Sequence, residues 1–500
     1  MTSSLSTRFH LAPLTLLAIG SAALAGCPDN TTPTADAAVV VRDDTGAPPN
    51  DTGSTPDPDT GGDTEQTIAE IVVGSDDFEI LEAAILRASP VPIMGTPTPI
   101  ADVLGGPGTF TVFAPNDAAF EASGLPLTTV MATPPDALRG ILLYHGLLTE
   151  VPAEDVTAGA QTSIAGLPFF ITTTGGVAIN GGNEVQGGAD VTTTDVEASN
   201  GVVHVIDRVL LPPTVEAIAR YAGFTTLAGA VASQGLADDL SGAGPFTVFA
   251  PTNEAFAALP ALPTGDALTN VLLYHVVGAA VRSTAIVATP APLATLADAP
   301  YTVGTEAPSL SLLARLDGTT ARINGAAVVT ADIPATNGVV HVVGEVLLPM
   351  NIVDIAEAGG FTTLVTAVGA AAPLASGGTV AGALSAPESR FTVFAPTNAA
   401  FTAAFPGGLP REAPAVRDLL LYHVLASPTP GIVLAAGLPT TATPLPTLNG
   451  ATLPFAPGTP PTVDGQGIVV TDIVGTNGVV HAVSGVLTPC REALAQPTTG

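Results

Sequence analysis

Six of the chain's seven histidines fall at two recurring positions. His145, His275 and His423 each follow a tyrosine, Tyr144, Tyr274 and Tyr422, while His204, His341 and His481 each close an Asn-Gly-Val-Val-His run. An aspartate, Asp195, Asp332 or Asp472, stands shortly before each run. Imidazole and carboxylate are zinc-ligand types, so a set such as His145, His204 and Asp195 has the chemistry of a metal site if the fold brings it together. The competing reading is structural. Both histidine types lie on apolar faces, where an imidazole hydrogen-bonded to backbone or to a hydroxyl fixes one packing of helix against sheet. That reading is preferred, so no cofactor and no metal is expected, and the tyrosines are read as anchors whose hydroxyls find a partner. The pairs Asn200-Gly201, Asn337-Gly338 and Asn477-Gly478 are expected to form turns that demand positive φ, each followed by a strand zipped into a sheet. The sequence has no Gly-x-Ser-x-Gly elbow, phosphate-binding glycine loop, His-Glu-x-x-His or Cys-x-x-Cys. Catalysis is therefore not expected.

The elements that must position these residues repeat three times in the same order. Thr-Val-Phe-Ala-Pro begins at Thr111, Thr247 and Thr392, Leu-Tyr-His follows at Leu143, Leu273 and Leu421, and Asn-Gly-Val-Val-His closes each unit. Units of about 145 residues are large enough to hold a core each, which predicts three beads rather than a solenoid of short repeats. Each opens with helical periodicity. Ser75 or Asp76 can cap a helix carrying Phe78, Leu81, Ile85 and Ala88, and Thr214 and Asn351 open the later copies. A short β run from Phe110 leads to cap-type residues Asn116-Asp117, Thr252-Asn253 and Thr397-Asn398, each ahead of a helix carrying Phe120, Phe256 or Phe401. Leu138, Ile141, Leu142 and His145 mark one stripe of a buried helix, and Val202, His204 and Ile206 share one face of the final strand. Helices before strands in every unit predict an α+β class with a mostly antiparallel sheet or wedge.

Composition bounds the rest. The 500 residues carry 13 basic and 44 acidic side chains, a net charge of −31, which argues against nucleic acid or anionic lipid as a direct partner. With 46% hydrophobic and 11% charged residues, most of the chain is expected to fold. Residues 1–27 have the parts of an export signal, with Arg8, an apolar run from Leu11 and small residues before Cys27. Leu24-Ala25-Gly26-Cys27 resembles a bacterial lipobox, which implies lipidation of Cys27 and a stable membrane anchor through more than one acyl chain. Residues 28–65, rich in Asp, Thr, Pro and Gly, are expected to be a disordered spacer. The folded units are expected at 66–212, 213–349 and 350–489, with a tail at 490–500 that holds the second cysteine, Cys490.

Thr-Val-Phe-Ala-Pro-(Thr/Asn)-(Asn/Asp)-x-Ala-Phe, the central Tyr-His and the closing Asn-Gly-Val-Val-His together resemble the fasciclin domain, present three times. The resemblance implies a twisted β-sandwich or wedge with packed helices, in exported proteins that adhere to cells, matrix proteins or polysaccharides. In animal matrix members of the family two places are tied to integrin-dependent adhesion. One is the Tyr-His segment, which falls on Tyr144 and His145, Tyr274 and His275, and Tyr422 and His423. The other is an Asp-Ile pair, matched by Asp332-Ile333 and Asp472-Ile473, from which the first copy departs as Asp195-Val196. A lipobox-bearing chain has no integrin of its own to meet, so only a generic adhesive role carries over. The expected partner is a cell-surface or matrix protein or polysaccharide, reached from an anchor at the cell envelope. Homophilic contact, or a scaffold without an external ligand, stands as the alternative, with a small-molecule or metal-binding role in a histidine-containing cleft ranked below it.

Overall fold

The computed structural model describes residues 66–88, 99–425 and 432–489. The segments read as an export signal with Cys27, as a spacer and as a tail with Cys490 lie outside the described residues. The described residues form a compact unit, in which the threefold sequence repeat is a threefold structural repeat.

Each repeat begins with helices whose starts are written locally. Thr67 caps Ile68–Val73 in a reciprocal box with Glu70, Thr214 caps Val215–Tyr221, and Asn351 caps Ile352–Ala358 in a box with Asp354. Ser75 caps a short 3₁₀ turn that runs into Glu79–Ala88, and Phe78, Leu81, Ile85 and Ala88 are all buried. Asn116, Thr252 and Thr397 accept from the backbone amides of Ala119, Ala255 and Ala400, as their residue types predict.

The sheet of the first repeat has seven strands. In spatial order they are Gly146–Leu147, Phe110–Pro115, Gly201–Ile206, Ala189–Ala198, Ala178–Ile179, Pro168–Thr172 and Gly159–Thr162. All neighbours pair antiparallel except Phe110–Pro115 with Gly201–Ile206, which run parallel in the register Phe110 to Gly201 and Phe113 to His204. The third repeat has the same order, with Phe391–Pro396 parallel to Gly478–Val483. The second closes into a barrel, because Thr295 of Ala291–Asp298 also pairs with Val277.

Expecting one apolar face on the final strand understates its burial: Gly201, Val202, Val203, His204 and Ile206 are all buried. The strand is central in the sheet, and apolar groups cover both faces. On one side Ile68, Leu81, Ile85, Val112 and Val203 pack with the helices. On the other Phe113, Tyr144, Phe169, Ile179 and Ile206 fill the wedge, with Phe113 and Tyr144 each meeting the Phe169 ring nearly edge-on. The third repeat divides in the same way, with Val393 and Val480 facing the helices and Phe394, Tyr422 and Val483 facing the wedge.

Candidate functional site

The aspartate before each Asn-Gly pair sits on an irregularity in its strand. The pairing of Ala189–Ala198 with Gly201–Ile206 shifts register between Val191 and Thr193 and again between Thr193 and Val196. Asp195 takes up the displaced backbone with φ of 58°, and Asp332 and Asp472 do the same at 59° and 58°. Aspartate tolerates this left-handed conformation better than a β-branched residue would, because its short side chain can hydrogen-bond locally. Here the carboxylate accepts from the amide that starts a 3₁₀ turn earlier in the same repeat. The donors are Ala153 N to Asp195 at 2.8 Å, Ser283 N to Asp332 at 2.8 Å and Ala435 N to Asp472 at 2.7 Å.

The second histidine of each repeat holds the same residue from behind. The backbone N–H of Asp195 donates to His204 Nδ1 at 3.3 Å, and His204 Nε2 faces Val151 O at 2.9 Å. A backbone amide can only donate, so Nδ1 is the acceptor and Nε2 carries the proton, giving a neutral ring with both nitrogens used. His341 and His481 repeat the arrangement with Asp332 and Val281, and with Asp472 and Val433. Each ring also lies against the Thr-Val-Phe-Ala-Pro phenylalanine, with centroids 5.5, 5.4 and 5.6 Å from Phe113, Phe249 and Phe394.

The Tyr-His segment is deeper still. Tyr144 is wholly buried and donates to Pro168 O at 2.7 Å while accepting from Asn180 Nδ2, and Tyr274 does the same with Ser311 O and Asn324. Tyr422, also buried, donates to Thr452 O. His145 caps the end of its helix with the opposite tautomer: Nδ1 donates to Ile141 O at 2.8 Å, and Nε2 accepts from Leu210 N at 2.9 Å. His275 and His423 match it through Val271 and Leu347, and through Leu419 and Leu487. The expectation that these tyrosines and histidines offer side chains to a partner needs correcting, because the fold encloses all six and occupies their polar atoms. Ile473 is likewise fully buried, whereas Asp195 is exposed and Ile333 is half-buried.

Burial drives the pKa of His145, His275 and His423 down to about 4, since the interior penalises the imidazolium, with the backbone bond of Nδ1 opposing it in part. The unfolded chain binds a proton near pH 6.5 and the folded one does not, so the stabilisation is complete above that value and falls away as pH drops toward 4. Each of these histidines is expected to cost its domain about 2 kcal/mol between pH 7.5 and 5. Most carboxylates remain ionised over that interval. A urea midpoint that stays flat or rises from pH 7.5 to 5 would contradict this.

The Asn-Gly pairs do more than turn the chain. Asn200 Oδ1 accepts from Ile68 N at 2.9 Å, and its Nδ2 donates to Leu104 O and Gly106 O, tying the start of one helix and the end of another to the strand. Asn337 and Asn477 make the same three bonds. Of the three glycines only Gly201 has positive φ, so the expected conformational demand is not the shared one. What the three share is close approach: a Cβ on Gly201, Gly338 or Gly478 would overlap the carbonyl oxygen of Phe110, Phe246 or Phe391 on the parallel strand. Sequence reasoning missed this clamp because its partners lie about a hundred residues away. The fixed pairing of an amide side chain with a glycine, three times over, was its only signal.

No group of three or more His, Cys, Asp or Glu side chains among the described residues is placed to hold a metal. His145 and His204 face separate backbone partners, with no free ring nitrogen on either.

The fasciclin domain matches this chain at residues 96–212, 222–349 and 359–489. The chain belongs to the fasciclin family. It is 31% identical over 337 residues to transforming growth factor-beta-induced protein ig-h3 of Sus scrofa, a match covering 64% of this chain and 45% of that protein. It is 26% identical to periostin of Homo sapiens over 85% of this chain and 47% of periostin. The chain thus matches less than half the length of either relative. Protein sll1483 of Synechocystis is 41% identical over 156 residues, 76% of its own length and 30% of this chain.

The second and third fasciclin domains meet at the third aspartate. Ser311 Oγ donates to Asp472 O at 3.2 Å and accepts from Val474 N at 3.0 Å. The Tyr301 hydroxyl lies 3.0 and 3.1 Å from the carbonyls of Gly475 and Gly478, with the Arg390 guanidinium 5.2 Å from its ring centroid. Arg315 donates to Ala358 O, and Leu313 packs into the core of the third domain. The segment around Asp472 is therefore partly covered by a neighbouring fasciclin domain, with the Asp472 side chain itself 37% exposed, while that around Asp195 carries exposed Thr192, Thr193, Thr194 and Glu197. No helix among the described residues is long and apolar enough to cross a membrane.

Proposed function

We propose that this chain is a non-catalytic adhesion protein, anchored to the cell envelope through a lipid on Cys27, that binds a surface or matrix protein or polysaccharide through its fasciclin domains. The observation that carries this reading is the exposed bulge of the first domain, where Asp195 is held rigidly by His204 and Ala153 among exposed threonines. A rigid polar edge of that kind can contact a partner without ordering a loop first, which removes one of the costs of association. Asp332 and Ile333 of the second domain are half-buried and form a weaker version of the same edge. Two weak sites on one tethered array raise the effective concentration of the second contact, so avidity supplies the strength.

The test compares cells bearing the wild-type chain, a deletion, Cys27→Ala, and the double variant Asp195→Asn with Asp332→Asn, for attachment to abiotic surfaces, polysaccharide and sister cells. Asparagine tolerates positive φ and can still accept the amide bond, so the bulges persist while their charge is lost. Attachment should drop in all three altered strains, and for the double variant by at least tenfold. Unchanged attachment in the deletion strain would leave the envelope-scaffold reading in its place. The docking of the second domain on the third supports homophilic contact as the second reading, which predicts that only attachment to sister cells is lost.

A further inference from the structure

All three domains have an apolar pocket at the same place, between the opening helices and the Thr-Val-Phe-Ala-Pro strand, but the pockets differ in size. It is about 20 Å³ in the second domain, about 50 Å³ in the first and about 220 Å³ in the third. Two differences between the copies bear on this. In the first domain Ile164 lines the pocket, held by a bond from its amide to Gly146 O. Its counterpart Leu448 makes the matching bond to Val424 O, yet it is 37% exposed and does not line the cavity. In the second domain the helices Thr225–Ser233 and Ala237–Ser241 are joined by residues 234–236 alone, which holds them together, whereas residues 371–379 join Thr362–Ala370 to Val380–Ser385.

We propose that the cavity of the third domain binds a small neutral apolar molecule, such as a medium-chain alcohol or ester, with its chain inserted and its uncharged head at the mouth. The walls are Ile352, Ala356, Leu364, Val368, Leu384 and Val393. The imidazole that reaches the lining, His423, has both nitrogens engaged by Leu419 O and Leu487 N, so the interior offers a ligand no free side-chain donor. A cavity of this chemistry does not gain from water, and it is larger than the engineered cavity of ~150 Å³ that stays dry and binds benzene. Val353, Val365 and Val368 are half-buried and Glu357 is exposed, which sets the mouth between the helices Ile352–Ala358 and Thr362–Ala370. The Glu357 carboxylate there, on a chain of net charge −31, selects against an anionic head group. This inference is independent of the adhesive reading and uses none of its residues.

The experiment is a fluorescence titration of the full chain with N-phenyl-1-naphthylamine, a neutral apolar probe, followed by displacement with 1-decanol and with decanoate at pH 8. One saturable site per chain is expected, with decanol displacing the probe at a concentration at least tenfold lower than decanoate. Val368→Phe and Val365→Phe should each weaken probe binding at least tenfold, and Glu357→Gln should narrow the gap between decanol and decanoate. Because an added ring can itself unfold a domain, hydrogen exchange on the wild type supplies a second reading: saturating decanol should slow exchange in Ile352–Ala358 and Thr362–Ala370 and leave the first two domains unchanged. Absence of a saturable site, undiminished binding in a folded phenylalanine variant, or slowed exchange spread evenly over the three domains would overturn the proposal.

Discussion

Gly201→Ala should unfold the first domain while leaving the other two intact. The glycine faces the Phe110 carbonyl across the parallel pair, so an added Cβ overlaps backbone rather than a side chain that could swing away, and its φ of 143° already disfavours any other residue. The strands can separate only by giving up the register that also places Phe113 opposite His204. The loss should be at least about 4 kcal/mol, a large part of what a domain of this size has to spare. Gly338→Ala and Gly478→Ala should behave alike in their own domains. Gly140→Ala is the control: it lies inside the helix Pro135–Tyr144 with open space around it, and should stabilise by up to about 1 kcal/mol. Hydrogen exchange followed by mass spectrometry assigns each effect to its domain. A Gly201→Ala protein whose first domain keeps native protection would refute the close-approach argument.

Asn477→Ala should cost the third domain about 3 to 5 kcal/mol. The side chain is wholly buried and makes bonds of 3.0, 2.6 and 3.1 Å to Ile352 N, Leu384 O and Ala386 O. Alanine deletes all three and strands a buried donor, a buried acceptor and a half-buried one, the buried groups each costing about 1 to 3 kcal/mol when left unpaired. Asn477→Asp should be no better near pH 7, since it keeps the acceptor for Ile352 N but turns a carboxylate toward two carbonyl oxygens. Asn337→Ala should cost less, because its site is half-buried and water can replace part of what is lost. Urea unfolding at pH 7.5 orders the variants, and equal losses at 477 and 337 would contradict the role assigned to burial.

The two predictions concern the same clamp, and the clamp is what holds the candidate contact edge. Asn200 and Gly201 fix Gly201–Ile206 against Phe110–Pro115, His204 on that strand holds the amide of Asp195, and Asp195 in turn caps the Ala153 turn. A loss of adhesion in a glycine or asparagine variant would therefore report unfolding. Asp195→Asn with Asp332→Asn leaves the clamp intact and speaks to the surface itself.

What the sequence determined by itself was whatever acts over a few residues or repeats three times. The cap residues Ser75, Asn116, Thr214 and Asn351 and the stripe Phe78, Leu81, Ile85 and Ala88 lie where local physics puts them, because a cap bond or a helical face needs only near neighbours. The α+β class followed from helical periodicity ahead of β runs in every unit, and the family from three motifs recurring in one order. Tertiary structure decided the rest. A strand buried on both faces has no alternation from which to read its partner or register, so the parallel pairing of Phe110–Pro115 with Gly201–Ile206 is invisible in either segment alone. Long-range packing likewise makes Asn200 a three-way clamp, an irregular antiparallel pairing of Ala189–Ala198 with Gly201–Ile206 gives Asp195 its left-handed backbone, and the wedge encloses Tyr144 and His145. How far a neighbour covers the segment of the third aspartate was decided by Ser311 and Tyr301, more than 150 residues before it, because a surface is defined by what else the chain packs there.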